Sequence, residues 1–309
     1  MARQHVIHHD IITPVETATT TPQVLEITFN DLRDALAKGI DDFREMPTHA
    51  LFLVALYPIA GIMIARFIFG YDMFPLLYPL AAGFALLGPF AAIGLYELSR
   101  RREQGLDTTW THAFDVRHSA SFKSILMLGG LLLMMFAVWI AIAHGLYLSS
   151  FGPAGHASLS ALLHDVLTTS EGQQFLIVGN LIGLGFAIVA MAISAVSFPL
   201  LLDRNIGFAA AIATSFRVVL RNPVVMMTWG VIVAVLLALG SLPFFFGLAV
   251  VVPVLGHATW HLYRKTLVPD DGPRPAHRSK PRRPRYAAEF PASLFVGSSV
   301  DVDDDRSSG

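Results

Sequence analysis

The sequence contains no cysteine, which excludes disulfides, thiolate metal sites and cysteine nucleophiles. Charge is scarce as well. Asp, Glu, Lys and Arg make up 15% of the 309 residues, against roughly 25% in soluble domains. The two signs nearly cancel, leaving a net charge of −1, so no global field points to a nucleic-acid partner. A short apolar core followed by a small-residue cleavage site is missing near the N-terminus, so no cleaved signal peptide is expected. Also missing are HExxH, a phosphate-cradling glycine loop in strand context and any nucleophile–base signature. No catalytic residue is assigned, and the chain is not expected to be an enzyme.

What is present is apolar: 54% of residues are hydrophobic and the mean hydropathy is +0.56. A spanning helix needs roughly 20 apolar residues. Six stretches meet or approach that length, at about 49–69, 74–98, 124–149, 174–202, 224–240 and 242–263. The short connections "FGYDMF" and "GSLPF" close the first and last pairs as hairpins. The fold expected is all-α: six transmembrane helices as three hairpins, with interfacial amphipathic helices on the cytoplasmic side. The parts are a disordered tail over 1–26, an interfacial helix over 27–47, the transmembrane domain over 48–265 and a disordered tail over 266–309.

Orientation follows from Lys and Arg. The connections between spans one and two, three and four, and five and six carry none, whereas Arg100, Arg101, Arg102, Arg117, Lys123, Arg204, Arg217 and Arg221 crowd the others. Cations concentrate on the cytoplasmic side, so both termini are expected there. The arginine triplet then reads as an anchor ending span two. The 266–309 tail is first rich in Pro and Arg and then acidic, a composition that cannot bury a core.

The chain also repeats itself. With Pro47 aligned on Pro223, Leu32, Leu36, Ile40 and Phe43 match Phe208, Ile212, Phe216 and Val219. That spacing is the stripe of an amphipathic helix. At the far ends, Pro89 to Arg100 matches Pro253 to Arg264, so Tyr96 matches Trp260 and Glu97 matches His261. A less regular middle copy places Trp110 and Phe114 one turn apart before span three. Tyr96, Trp260, Trp110 and Phe114 are expected at the membrane–water interface.

Polar groups inside spans are the default functional candidates, and they are few. The middle of no span carries Asp, Glu, Lys or His, which argues against an ion-coupled relay. Asn180, with Gly179 and Gly183 as a small-xxx-small pair, reads as helix packing. His257 and His261 are four apart on one helical face. They read first as interfacial histidines that bond headgroups and backbone, and alternatively as candidate ligands for Zn or haem. Glu97 and His261, at equivalent repeat positions with Arg100 and Arg264 beside them, are expected to form a structural polar pair.

The segments "YPLAAGFALLGPFAAIGLYELSRRREQG", "SFPLLLDR", "SFRVVLRNPVVMMTWG" and "PVLGHATWHLYRK" resemble a family of bacterial integral membrane proteins of unknown function, domain of unknown function 2189. The resemblance extends over most of 27–268. It implies a bacterial cytoplasmic (inner) membrane protein of about six helices, and supplies no reaction, substrate or site residue. The function expected is a non-enzymatic membrane scaffold or assembly component that holds no cofactor, its partners being the lipid bilayer and another membrane protein or a second copy. The alternatives are a carrier or channel for a small uncharged or amphipathic solute, and a metal- or haem-binding membrane protein.

Overall fold

A computed structural model describes residues 22–46, 74–153, 155–156, 158–242 and 246–269. The first expected span, at 49–69, lies outside them, as do residues 1–21 and 270–309. The helices are α1 (Phe29–Glu45), α2 (Leu77–Phe84), α3 (Gly88–Ala91), α4 (Ile93–Glu103), α5 (Phe122–Phe151), α6 (Leu159–Thr168), α7 (Ser170–Ser194), α8 (Ser197–Asp203), α9 (Phe208–Arg221), α10 (Pro223–Ser241) and α11 (Leu248–Thr266), with 3-10 segments that include Trp110–His118. The only extended pairing among the described residues is a single antiparallel bridge between Val24 and Leu267.

Among the described residues, four helical runs are long and apolar enough to cross a membrane: Leu77–Glu103, Phe122–Phe151, Ser170–Asp203 and Pro223–Ser241. These correspond to the second to fifth of the six expected spans. The expected sixth, at 242–263, overlaps α11, which is not among the four because His257, His261, Arg264 and Lys265 occupy its second half. Only 17–29% of the apolar core of the four runs is buried inside the molecule, so most of their apolar surface faces outward. Met127, Leu133 and Met134 on α5, Ile177 and Leu181 on α7, and Val231 and Leu239 on α10 are all more than half exposed. Water would penalise such a belt and hydrocarbon does not.

Two of the runs are broken, each with its loose groups accounted for. The first changes from 3-10 to α geometry at Gly88, with Pro89 in the opening turn of α3, where its missing N–H costs no bond. In the second, α7 gives way to α8 at Ala195–Val196. The freed N–H of Val196 donates to Ser215 Oγ at 3.2 Å, from α9.

The densest packing is at one end of the bundle, here called the polar end. Trp260, Tyr96, Tyr263 and Phe198 are among the largest fully buried side chains, from α4, α8 and the last two turns of α11. Around these ends lie three amphipathic segments. Trp110–His118 packs on α4, α9 packs on α7 and α8, and α1 packs on α11. Two of them thus fold back on the helix just before them in the chain. The third, α1, closes onto the last helix instead.

Residues 22–28 complete that closure. Leu25 N donates to Thr266 O at 2.9 Å and Val268 N to Gln23 O at 3.1 Å. Ile27 N donates to Asn222 Oδ1 at 2.9 Å. Residues 22–26, expected in the N-terminal tail, are therefore part of the packed structure.

The buried face of α1 is Leu32, Ala35, Gly39 and Asp42, rotated from the expected stripe, which leaves Ile40 38% exposed. On α9 the equivalents of Ala35 and Gly39, Ala211 and Ser215, are likewise buried, while Phe216 is 36% exposed. Small residues hold both faces because the backbones come close. A Cβ on Gly39 would lie 2.7 Å from Ala258 Cβ and 2.8 Å from the Val254 carbonyl. Gly39→Ala should therefore lower the melting temperature in detergent, with a loss of about 1–3 kcal/mol from overpacking. Gly130→Ala, at an exposed helical site with nothing within 4 Å, should leave the melting temperature unchanged or raise it.

Candidate functional site: an ionic clamp at the polar end

The last two turns of α4 read "ELSRRRE". Six polar residues in seven positions cannot share one helical face. They radiate instead, and each meets a different neighbour.

Asp42 of α1 is the centre of the first cluster. Its Oδ1 accepts from Arg102 Nη1 at 2.5 Å. Its Oδ2 accepts from Ser99 Oγ at 2.5 Å and from His261 Nε2 at 2.9 Å. Ser99 Oγ also meets His257 Nδ1 at 2.7 Å. The hydroxyl proton is spent on Asp42, so Nδ1 of His257 carries the hydrogen of that contact. Three helices are thereby joined through one carboxylate that is 3% exposed. Burial pushes the Asp42 carboxyl up, but the hydrogen bonds from His261 and Ser99 and the charges of His261 and His257 outweigh it. The group is held below the usual carboxylate range.

Glu97 centres the second cluster and is fully buried. Arg100 reaches its Oε2 through Nε at 3.0 Å and Nη2 at 2.8 Å. Arg101 lies 3.9 Å from its Oε1 and 3.6 Å from Asp115, and donates to the Asp107 carbonyl at 2.6 Å. The third cluster joins Glu103 to Trp260 Nε1 at 3.1 Å and Arg264 Nε at 3.0 Å. Arg264 Nη1 and Tyr263 Oη then donate to Asp203 Oδ2 at 3.2 and 2.7 Å. On the rim, Lys265 pairs with Asp31 at 3.1 Å and Asp34 at 2.9 Å, and Lys38 pairs with Asp34 at 3.1 Å. A cavity of about 540 Å³ opens among these groups, lined by Lys38, Asp41, Asp42, Ser99, Arg102, Glu103, His261, Arg264 and Lys265.

The expected pairing of Glu97 with His261 is corrected by this geometry. Glu97 takes Arg100 from its own helix, and His261 takes Asp42. The arginine triplet is not a solvated anchor, since Arg100 and Arg101 are buried at 6% and 8% exposure. Tyr96 and Trp260, expected at the interface, are 2% and 0% exposed. Trp110 and Phe114 are about half exposed and stack edge to face at 6.3 Å.

His257 and His261 both turn toward Asp42. Among the described residues, no group of three or more His, Asp or Glu side chains is placed to hold a metal ion. Asn180 lies elsewhere: its Oδ1 accepts from Tyr78 Oη at 2.7 Å and its Nδ2 donates to Leu176 O at 2.8 Å. Gly183 lets Trp139 approach, a Cβ there lying 3.1 Å from the indole, whereas Gly179 has ordinary contact with Leu146.

Sequence reasoning missed Asp42, Glu103 and Asp203. A signal was present in two places. Ala35 and Gly39 precede Asp42 on one helical face, marking it as closely packed. Leu98-Ser99-Arg100, Leu202-Asp203-Arg204 and Leu262-Tyr263-Arg264 form a threefold Leu-x-Arg ending whose middle residues are all buried and hydrogen-bonded.

Comparison with known proteins adds one finding. Residues 77–203 match DUF2189, described as a predicted integral membrane protein. Over that stretch, less than half of its length, the chain is similar to that family. The match spans α2 to α8, and so includes the arginine triplet and the Asp203 ending, whereas α1 and α9 to α11 lie beyond it. No curated protein and no solved structure matches the chain.

Removing the Asp42 carboxylate should strand Arg102 and His261. Asp42→Ala is expected to cost about 3–5 kcal/mol, the range for breaking a buried pair, read as a lowered melting temperature in detergent. The pH dependence has a definite sign. A carboxyl whose pKa is depressed by folding stabilises the fold above its unfolded value of about 3.9, and that contribution is lost as pH falls below it. The gap in melting temperature between wild type and Asp42→Asn should therefore shrink as the pH drops below about 4. A gap that widens on acidification would contradict the assignment.

Proposed function

We infer that this protein is a non-enzymatic component of a bacterial inner membrane, a scaffold or assembly subunit. In this reading the apolar stretch at 49–69 and helix α11 join the four long runs to give six spans as three hairpins. The polar end faces the cytoplasm, where Arg100–Arg102, Arg117, Lys123, Arg217 and Arg221 gather. The single observation that carries the functional reading is the internal pairing of charge around the cavity. Arg102 is taken by Asp42, Arg264 by Glu103 and Asp203, Lys265 by Asp31 and Asp34, and Lys38 by Asp34. A site built to hold a charged ligand leaves some of its donors for the ligand; these are spent on one another, which suits a clamp that rigidifies a platform.

Beside the clamp, Trp110, Phe114 and Leu106 present an exposed apolar ridge. Aromatic anchors of this kind dominate interface energetics, and the ridge is the docking surface assigned here to a membrane-protein partner. Isolation in mild detergent tests this. Wild type should retain one membrane-protein partner at fixed stoichiometry, and a Trp110→Ala/Phe114→Ala variant should lose it while melting at the same temperature. A wild-type chain that purifies alone, and that lets a small uncharged or amphipathic solute equilibrate across vesicles, would replace the scaffold by a carrier.

Because the chain is free of cysteine, orientation has a clean test. A membrane-impermeant maleimide should label Ser160→Cys in intact cells and leave Leu106→Cys unlabelled until the cells are opened. The reverse pattern would overturn the orientation.

A further inference from the structure

The connection between α5 and α7 is not a plain loop. It contains α6, whose buried side, Leu162 and Val166, packs with Tyr147, Phe151 and Phe175. Polar bonds fix it in place. His156 Nδ1 meets Tyr147 Oη at 2.9 Å and its Nε2 meets Asp165 Oδ2 at 3.0 Å. The backbone N–H of His156 donates to the same Tyr147 oxygen at 3.1 Å. Ser158 caps the helix through Ala161 N at 3.2 Å. At the other end Gly172 touches it: a Cβ there would lie 2.1 Å from the Asp165 carbonyl oxygen. Helix α6 therefore has one orientation with respect to the bundle.

That orientation leaves Leu159, Leu163 and Leu167 turned outward, 45%, 50% and 65% exposed. Spaced four apart, they form a stripe along one flank of the helix. The next flank, about 100° further round the helix and opposite the buried Leu162 and Val166, carries Ser160, His164 and Thr168, all exposed. The stripe lies beside the start of α7, where Gln173 Nε2 reaches the Leu167 carbonyl at 3.4 Å. Over the eight residues beyond that point α7 turns Leu176, Ile177 and Leu181 outward in the apolar belt. No Lys or Arg occurs from 151 to 173, so nothing draws this end toward the cation-rich side.

The geometry points to α6 as an interfacial helix seated in the outer leaflet, with Leu159, Leu163 and Leu167 against lipid acyl chains and Ser160, His164 and Thr168 in water. The occupant is lipid because the stripe continues the hydrocarbon-facing belt of α7 and because its polar flank fits the headgroup boundary. The assignment to the outer leaflet rests on the orientation proposed above; the contact with lipid does not.

Spin labels at Leu163→Cys, Leu167→Cys and Ser160→Cys test it, each in the otherwise cysteine-free chain reconstituted into phosphatidylethanolamine–phosphatidylglycerol vesicles. Elution and circular dichroism matching wild type establish that each variant is folded. Leu163 and Leu167 should be open to oxygen and shielded from a water-soluble nickel chelate, with a ratio several-fold above that at Ser160. Equal chelate access at all three positions would place α6 in water. Shielding of Leu163 and Leu167 from both probes would place a protein surface, a second copy included, on the stripe. Either result overturns the proposal. Maleimide labelling of Ser160→Cys only after cells are opened would instead overturn the orientation and leave the lipid contact standing.

Discussion

A charged group set beside hydrocarbon must have its counter-charge with it. That constraint governs the polar end of this protein. Glu97, fully buried, and Asp42, nearly so, carry negative charge into the packed ends of three helices, and Arg100, Arg101 and Arg102 carry positive charge to meet them. Desolvating either set alone would cost several kcal/mol per ion. Together, with Ser99, His257 and His261 supplying further hydrogen bonds, the groups are compensated. Such a cluster stabilises little compared with a well-packed apolar core, but it strongly penalises arrangements that separate its members. The clamp therefore acts chiefly on specificity: it selects the arrangement in which α1, α4 and α11 meet.

Closure of the bundle follows from the same groups. In a membrane, the hydrophobic effect does not drive helix against helix, because lipid tails are as apolar as leucine. The long apolar runs are accordingly little buried among themselves, and dense packing is concentrated where the chain leaves the hydrocarbon. There the amphipathic segments and the charged endings of α4, α8 and α11 interlock. The stretch at 22–28 and the end of α11, far apart in the sequence, pair through Leu25, Gln23, Thr266 and Val268. A platform built this way is rigid at one end and lipid-bathed along its length, which is the physical content of the scaffold reading.

The apolar runs were legible in the sequence because hydrocarbon imposes length and composition directly. Expected boundaries at 124–149 and 224–240 fall within two residues of Phe122–Phe151 and Pro223–Ser241. The amphipathic segments at 29–45 and 208–221 were legible from their period, though not the face they bury: Leu36 and Ile40 outrank Gly39 on any hydropathy scale, yet contact with Ala258 requires the glycine. Charge partners were not legible. Asp42 sits among Asp41, Arg44 and Glu45 and reads as one more residue of a solvated face. The arginine triplet has the composition of a membrane anchor whether it is wet or paired, and only tertiary contact decides. Helix α6 went unread because a ten-residue amphipathic stretch is weak against a background this apolar.

The central claim is that the buried carboxylates and arginines of α4 form coupled pairs rather than independent charges. A double-mutant cycle on Glu97→Gln and Arg100→Gln, followed by thermal melting in detergent, measures that coupling directly. The account predicts that each single change is strongly destabilising and that the double variant recovers part of the loss, with an interaction energy of about 0.5–3 kcal/mol. Simple additivity of the two losses would contradict it.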